Sequence, residues 1–185
     1  MPKRLTRIIP GHYYHIYNKA VADNQLFIEE KNYHFFLSKI KKYLLNTSDV
    51  LAFCLMPNHY HLVIKLKNPE MPRSMQQLAM SYTMAFNKMY QRSGHLFQGR
   101  YQLKHIGEDV YLEHLTRYIH LNPLIAGLVS KPENWEYSSY CEYVGLREPD
   151  FINRNIVLDR FGITNVTSLE KKQKYYQKYV EDWDS

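Results

Sequence analysis

The chain has 185 residues with a formal net charge of +6, 45% apolar and 23% charged residues, and a sequence pI near 9.1. These values exclude a disordered, collagen-like or coiled-coil chain, and they fit one large domain, or a domain with an appendage, that buries a core without staples. Cys54 and Cys141 are too few for a disulfide framework or a cysteine-rich zinc site, no apolar run approaches the roughly 18 residues of a membrane span, and MPKRLTRIIPGHYY lacks the apolar stretch of a signal peptide, so a cytoplasmic protein is expected.

In chain order, residues 12–19 (HYYHIYNK) are aromatic and β-branched, follow Pro10-Gly11, and predict a first strand. Asp23-Asn24 marks a turn. From Glu29 to about Asn46, Phe35, Phe36, Ile40, Tyr43 and Leu44 fall at helical spacing between lysines, which predicts an amphipathic helix. Residues 50–56 form a continuous apolar run, a buried strand by length. The Pro57-Asn58 turn then leads into a second strand over 59–66, completing a hairpin. A second helix is expected over 75–90, stopped by Ser93-Gly94. Residues 95–106 (HLFQGRYQLKHI) predict a fourth strand with a bulge at Gly99. Asp109 can cap a third helix over about 110–121, Pro123 to about Val129 predicts a short further helix, and ENWEYSSYCEYVG is expected to pack back on the domain. Two more helices are expected near 154–161 and 168–182.

The order β-α-β-β-α-β followed by helices is the ferredoxin-like pattern, an α+β fold with an antiparallel sheet and helices on one face. The division expected is a main domain over 1–149 and a helical extension over 150–185.

The net charge conceals an asymmetry. Residues 1–105 hold 15 Lys/Arg against 5 Asp/Glu, a net of +10, whereas residues 106–185 hold 9 against 13, a net of −4. An anionic partner would therefore be gripped mainly by the first part of the chain, unless the two parts neutralise each other in space.

Two motifs carry chemistry. In MPNHYHLVIKL, strand alternation puts His59, His61, Val63 and Lys65 on one face and the apolar Tyr60, Leu62, Ile64 and Leu66 on the other. Neutral imidazoles at i and i+2 can grip one divalent ion, although an H-x-H by itself also suits structural or surface histidines. His12, His15, His34 and His120 are set down as packing or surface residues. In EDVYLEHLTRYIHLNP, Leu112, Leu115 and Ile119 form a core stripe, with Tyr118 and Asn122 neighbours one turn apart beside it and Tyr111 and His114 on the same side. Tyr118 equally suits an interfacial tyrosine, and Asn122 before Pro123 equally suits a cap for the next helix.

Taken together, the motifs suit one reaction. An imidazole-bound metal polarises a phosphodiester oxygen, and a tyrosine hydroxyl attacks phosphorus to form a covalent link. Asn122 can offer an amide oxygen as a third ligand. A tyrosine, with an ordinary pKa of about 10, needs help from the metal charge or from Arg117 or Lys104. Aromatic side chains can stack unpaired bases.

The segment M-P-N-H-Y-H-L-V-I, followed by R-Y-I-H-L-N-P-L-I-A-G-L-V and W-E-Y-S-S-Y, resembles the REP-associated tyrosine transposases of the single-tyrosine HUH superfamily over roughly residues 8–145. The resemblance implies a divalent-metal-dependent (Mg2+ or Mn2+) nickase that cuts and rejoins single-stranded or hairpin DNA through a 5′-phosphotyrosine intermediate. By motif position, His59 and His61 correspond to the metal pair and Tyr118 to the nucleophile. Asn122 stands where related insertion-sequence enzymes carry a glutamine ligand. Candidate DNA contacts are Arg4, Arg7, Lys19, Arg73, Arg100, Tyr101, Lys104 and Arg117. The REP-associated group implies a monomer, and the related insertion-sequence enzymes, which are dimers exchanging their tyrosine helix, leave a homodimer as the alternative. Competing readings are a domesticated hairpin-binding protein with little cleavage, a small-molecule zinc hydrolase and an RNA-binding ferredoxin-like module. The hydrolase lacks an H-E-x-x-H or cysteine set, and the RNA-binding module lacks its K/R-G-F/Y motif.

Overall fold

The computed structural model describes residues 7–22, 24–107, 109–160 and 168–184. Arg4, Asp23 and residue 161 at the end of an expected helix lie outside that set, as does the side chain of Asp109.

Strand β1 (Tyr13–Lys19) leads into helix α1 (Glu30–Leu44). The start of α1 is set by Asn32, whose Oδ1 accepts from the backbone of Ile28 at 2.9 Å and of Glu29 at 3.0 Å. Phe36, Ile40 and Leu44, four residues apart, are fully buried. Strands β2 (Ser48–Met56) and β3 (His59–Leu66) form the expected hairpin, with Met56 paired to His59 across Pro57-Asn58. Helix α2 (Met71–Met89) begins four residues earlier than its apolar period suggests. Pro72 sits in its first turn, where a missing N–H leaves no hydrogen bond unmade.

Strand β4 (Gln102–Ile106) is shorter than the expected 95–106. Phe97 still makes an isolated bridge to Ala20. Between the two, Gly99 takes φ +80, a left-handed conformation that only glycine adopts cheaply, and breaks the strand. The sheet order is β2-β3-β1-β4 with every neighbour antiparallel, the ferredoxin-like arrangement predicted from element order.

Helices α1 and α2 pack on the sheet face that carries Tyr60, Leu62, Ile64 and Leu66. Phe36 meets Tyr60 at 5.0 Å between ring centres, and Tyr82 donates to Leu26 O at 2.5 Å. Helix α3 (Asp109–Ile125) crosses the opposite face beside β2. It does not stop before Pro123, as the sequence suggested. Pro123 lies inside its last turn, and the chain leaves the helix at Gly127, φ +67. Proline has no N–H to place on the Ile119 carbonyl, so one helical bond is missing there, while Ala126 N still reaches Asn122 O at 2.9 Å. Leu112 and Ile119 are fully buried and Leu115 is nearly so. Truncating such a residue to alanine typically costs about 2–5 kcal/mol.

The remainder of the chain wraps this frame. A short turn at Pro132–Asn134 precedes α4 (Tyr140–Tyr143), then come α5 (Asn155–Leu158) and α6 (Leu169–Glu181). The Trp135 indole donates to Leu55 O at 3.0 Å, so the aromatic segment packs back on the sheet. Residues 137–139 and 152–153 also hydrogen-bond the outer edge of β2: Leu55 N to Tyr137 O, Ser139 N to Phe53 O and Asn153 N to Val50 O. These bonds occupy backbone groups that an open edge strand would present to other chains. Val157, Leu158, Tyr176 and Val180 are buried in the same apolar cluster as the sheet. No helix among the described residues is long and apolar enough to cross a membrane.

Candidate active site

The site is built on the sheet face that α3 only partly covers. Strand alternation puts His59 and His61 there, with their rings edge-on at 5.1 Å between centres. The β1–β3 register pairs Tyr17 with His61 and Lys19 with His59, so Tyr13, His15, Tyr17 and Lys19 share this face. His15 is then a diagonal neighbour of His61, within reach of a long side chain. The two rings lie edge to edge in nearly parallel planes, with centres 5.1 Å apart and His15 Nε2 2.9 Å from His61 Nδ1.

Helix α3 supplies the other wall. Its buried stripe leaves Tyr111, His114 and Tyr118 at the rim, and the Tyr118 ring stands edge-on to His61 at 6.1 Å and 78°. His15, Tyr17, His61, Lys104, Tyr111, His114, Leu115 and Tyr118 line one open cleft of about 430 Å3. The tyrosine and the second histidine of the H-x-H pair thus meet in one place although 57 residues separate them in the chain.

Electrostatics favour neutral imidazoles. Burial, then the charge of Lys104, lowers the His15 pKa to about 4. Burial, then the neighbouring His15 and His59, lowers that of His61 to about 3. Burial also lowers His59. Deprotonated rings are what a metal requires of its nitrogen ligands. His59 donates from Nδ1 to Asn58 Oδ1 at 2.7 Å, which leaves the Nε2 lone pair available. No group of three or more His, Cys, Asp or Glu among the described residues could hold a metal. A metal on this pair would therefore take its remaining ligands from an amide oxygen, the substrate or water.

Asn122 lies inside α3, so it does not cap a following helix. Its amide nitrogen donates back to Tyr118 O at 3.3 Å, one turn earlier. That bond uses the NH2 and leaves the amide oxygen as an acceptor; Asn122, like His59, is not one of the residues that line the cleft.

The described candidate DNA contacts lie in several places. Lys19 and Lys104 lie exposed on the histidine face, and Lys104 Nζ sits 5.5 Å from the centre of the Tyr17 ring. Arg117 turns away from the cleft, its guanidinium 4.5 Å from the Tyr179 ring of α6. Arg73 and Arg100 are exposed on the side of α2. Arg100 and Tyr101 line a separate cleft of about 440 Å3 with Asn18, Met75 and Gln76. Tyr101 is largely buried, with its hydroxyl 3.7 Å from Met71 Sδ. Arg7 is exposed just before β1.

His15, expected as a packing or surface residue, and His114, expected on the same side of its helix as Tyr118, both line the cleft. His15 needed the strand register to bring it beside His61. His114 joins the cleft on one side and reaches α6 on the other, with Nδ1 2.9 Å from the Tyr179 hydroxyl. His120, by contrast, is a core residue with no exposure. Its Nδ1 lies 2.6 Å from the Tyr176 hydroxyl and its Nε2 2.8 Å from Ser139 Oγ, which ties α3 to α6 and to the segment along β2.

Comparison with known proteins agrees with this fold. The family described as IS200-like transposase matches residues 9–122, more than half of the chain and the whole stretch from β1 to Asn122. Among solved structures, the chain is similar to a REP-associated tyrosine transposase bound to a REP hairpin, at 19% identity and a TM-score of 0.67. The match covers 78% of this chain and 86% of that one. No curated protein matches. A β-α-β-β-α-β sheet with a histidine pair and a tyrosine helix on one face, together with a family match across all of these elements, makes this chain a member of the IS200-like transposase family.

Proposed function

We propose that this protein is a REP-associated transposase that binds hairpin DNA and nicks and rejoins its single-stranded flank. One observation carries the reading: Tyr118 stands edge-on to His61 in a cleft that also holds Lys104. The solved relative is bound to a REP hairpin, which suggests the same class of substrate here.

In the proposed reaction the phosphodiester enters the cleft between α3 and the sheet. His59 and His61 would hold a divalent ion, Mg2+ or Mn2+, and Asn122 would offer its amide oxygen as a third protein ligand. Such an ion, when bound, draws charge from a non-bridging phosphate oxygen. Tyr118 gives up its phenolic proton and its oxygen bonds to phosphorus. The bond from phosphorus to the 3′ oxygen breaks, and that oxygen leaves as a 3′-OH after taking up a proton. Lys104 offsets negative charge on the phenol oxygen and the phosphate. Rejoining is the reverse, with a 3′-OH attacking the phosphotyrosine. Lys19 and Lys104 on this face, with Arg7, Arg73 and Arg100 elsewhere on the basic half, would hold the backbone.

A monomer is the proposed working form, supported by the buried His120–Tyr176 contact that fastens the tyrosine helix to its own chain. A second reading is hairpin binding with little cleavage. Incubation of labelled hairpin DNA with Mg2+ or Mn2+ separates the two. A covalent adduct on a denaturing gel supports the nickase, and retention on a native gel without any adduct supports the binding protein.

A further inference from the structure

The two metal-pair histidines are held in parallel ways, and the difference between their partners has a consequence. His59 places Nδ1 2.7 Å from Asn58 Oδ1. An amide oxygen can only accept, so the proton is on Nδ1 and the lone pair is on Nε2. His61 also has Nδ1 engaged, but its partner is another imidazole nitrogen, His15 Nε2 at 2.9 Å. Two neutral imidazoles share a single proton across such a contact, and it can belong to either ring. If His15 donates, the proton of His61 is on Nε2 and that nitrogen cannot ligate. If His61 donates, its Nε2 is free to do so.

We propose that His15 is a positioning residue of this site, accepting the Nδ1 proton of His61 and so holding His61 as the tautomer with its lone pair on Nε2. The inference rests on the reading of His59 and His61 as the metal pair. Its observations are separate from that reading. His15 is 7% exposed and His61 9%, so little of either side chain meets solvent where the two line the cleft. The His15, Tyr17 and His61 rings form one mutual cluster, with centres 4.8 Å apart for His15 and Tyr17, 5.1 Å for His15 and His61 and 6.0 Å for Tyr17 and His61, which limits the orientations open to His15. The position is written into the sheet: His15 pairs with Val63, two residues along β3 from His61 and on the same face. With His15 accepting and Asn58 accepting, both rings of the pair carry their proton on Nδ1, and the H-x-H motif presents two Nε2 lone pairs. Hydrogen bonds of this kind to a ligating imidazole fix its orientation and raise its basicity.

The test uses the full-length metal-free protein, labelled with 15N, and two variants, His15→Gln and His15→Leu. Long-range proton–nitrogen spectra of the ring nitrogens read the tautomer of His61 directly, and calorimetry with Mn2+ reads metal affinity. Wild-type protein is expected to show His61 protonated on Nδ1. His15→Gln, whose amide oxygen can accept, is expected to keep that tautomer and to bind Mn2+ within a few-fold of wild type. His15→Leu is expected to lose the tautomer and to weaken Mn2+ binding about 10- to 100-fold. The proposal is overturned if wild-type His61 carries its proton on Nε2, or if His15→Leu binds Mn2+ as wild type does while His59→Ala does not. If Mn2+ binding is absent from wild type as well, the metal reading fails, and the wild-type spectrum still decides the hydrogen-bond direction. That spectrum also decides it if the leucine variant does not fold.

Discussion

Histidine burial makes this fold sensitive to acid, and His120 allows the effect to be measured one residue at a time. It has no exposure, bonds two hydroxyls from two other segments, and has its pKa lowered by burial to about 3. In the unfolded chain the same ring titrates near about 6.5. Above that value both states are neutral and pH has no effect through this group. As pH falls below it, the unfolded chain binds a proton that the folded chain refuses, so stability falls until about pH 3. One such group removes about 1.4 kcal/mol per pH unit, or about 2 kcal/mol between roughly pH 7.5 and pH 5. That is a large fraction of the roughly 5–15 kcal/mol that holds a domain together. His15 and His61, lowered in the same direction, add to the slope. Urea unfolding across this range, on wild type and on His120→Gln, isolates the His120 share, because glutamine keeps a donor and an acceptor but does not titrate. The variant is expected to be less stable near neutrality, through imperfect replacement of the two bonds, but its stability should fall with acid by about 2 kcal/mol less than that of wild type. Equal pH slopes for the two proteins would refute the claim that His120 stays neutral in the fold.

Other outcomes follow from the same geometry. Asn122→Ala should abolish or sharply slow cleavage while leaving hairpin binding intact in a native gel, because its amide hydrogen-bonds back to its own helix at Tyr118 O; unchanged cleavage would remove it from the ligand set. The affinity for single-stranded flanks should fall with rising salt, and Lys19→Ala and Lys104→Ala should each lower the slope of log affinity against log salt by about 1; unchanged slopes would place the backbone elsewhere. Gly145→Ala should destabilise by about 1–2 kcal/mol in thermal unfolding, because the residue has φ +81 and its new Cβ would lie 2.9 Å from Gln173 Oε1 on α6; no loss would mean that α6 is not firmly docked there.

Alternation and helical periodicity made much of this architecture legible. His59 and His61 could be put on one face because the opposite positions, Tyr60, Leu62, Ile64 and Leu66, are all apolar and needed a core. Leu112, Leu115 and Ile119 likewise oriented α3 and put Tyr118 at its edge. Local pattern failed where the deciding partner was distant. His15 sits in a strand whose residues give no hint of which neighbour they will face, and only the β1–β3 register sets it beside His61. Pro123 signals a helix boundary locally, yet packing of Ile119 and Leu121 carries α3 through it. The strand signal over 95–106 was right in composition, but Gly99 shortened it by turning left-handed. The final helices were visible by composition, but not the contacts of Tyr176 and Tyr179 with His120 and His114, which join residues more than fifty positions apart.

The central claim is that Tyr118 becomes bonded to DNA. A 3′-labelled hairpin carrying a single-stranded 5′ flank, incubated with wild-type protein and Mn2+ and run on a denaturing gel, tests it most directly. The account predicts a protein–DNA adduct that survives denaturation, is lost in Tyr118→Phe, and is lost while that variant still binds the hairpin on a native gel. An adduct of equal yield from Tyr118→Phe would contradict the account.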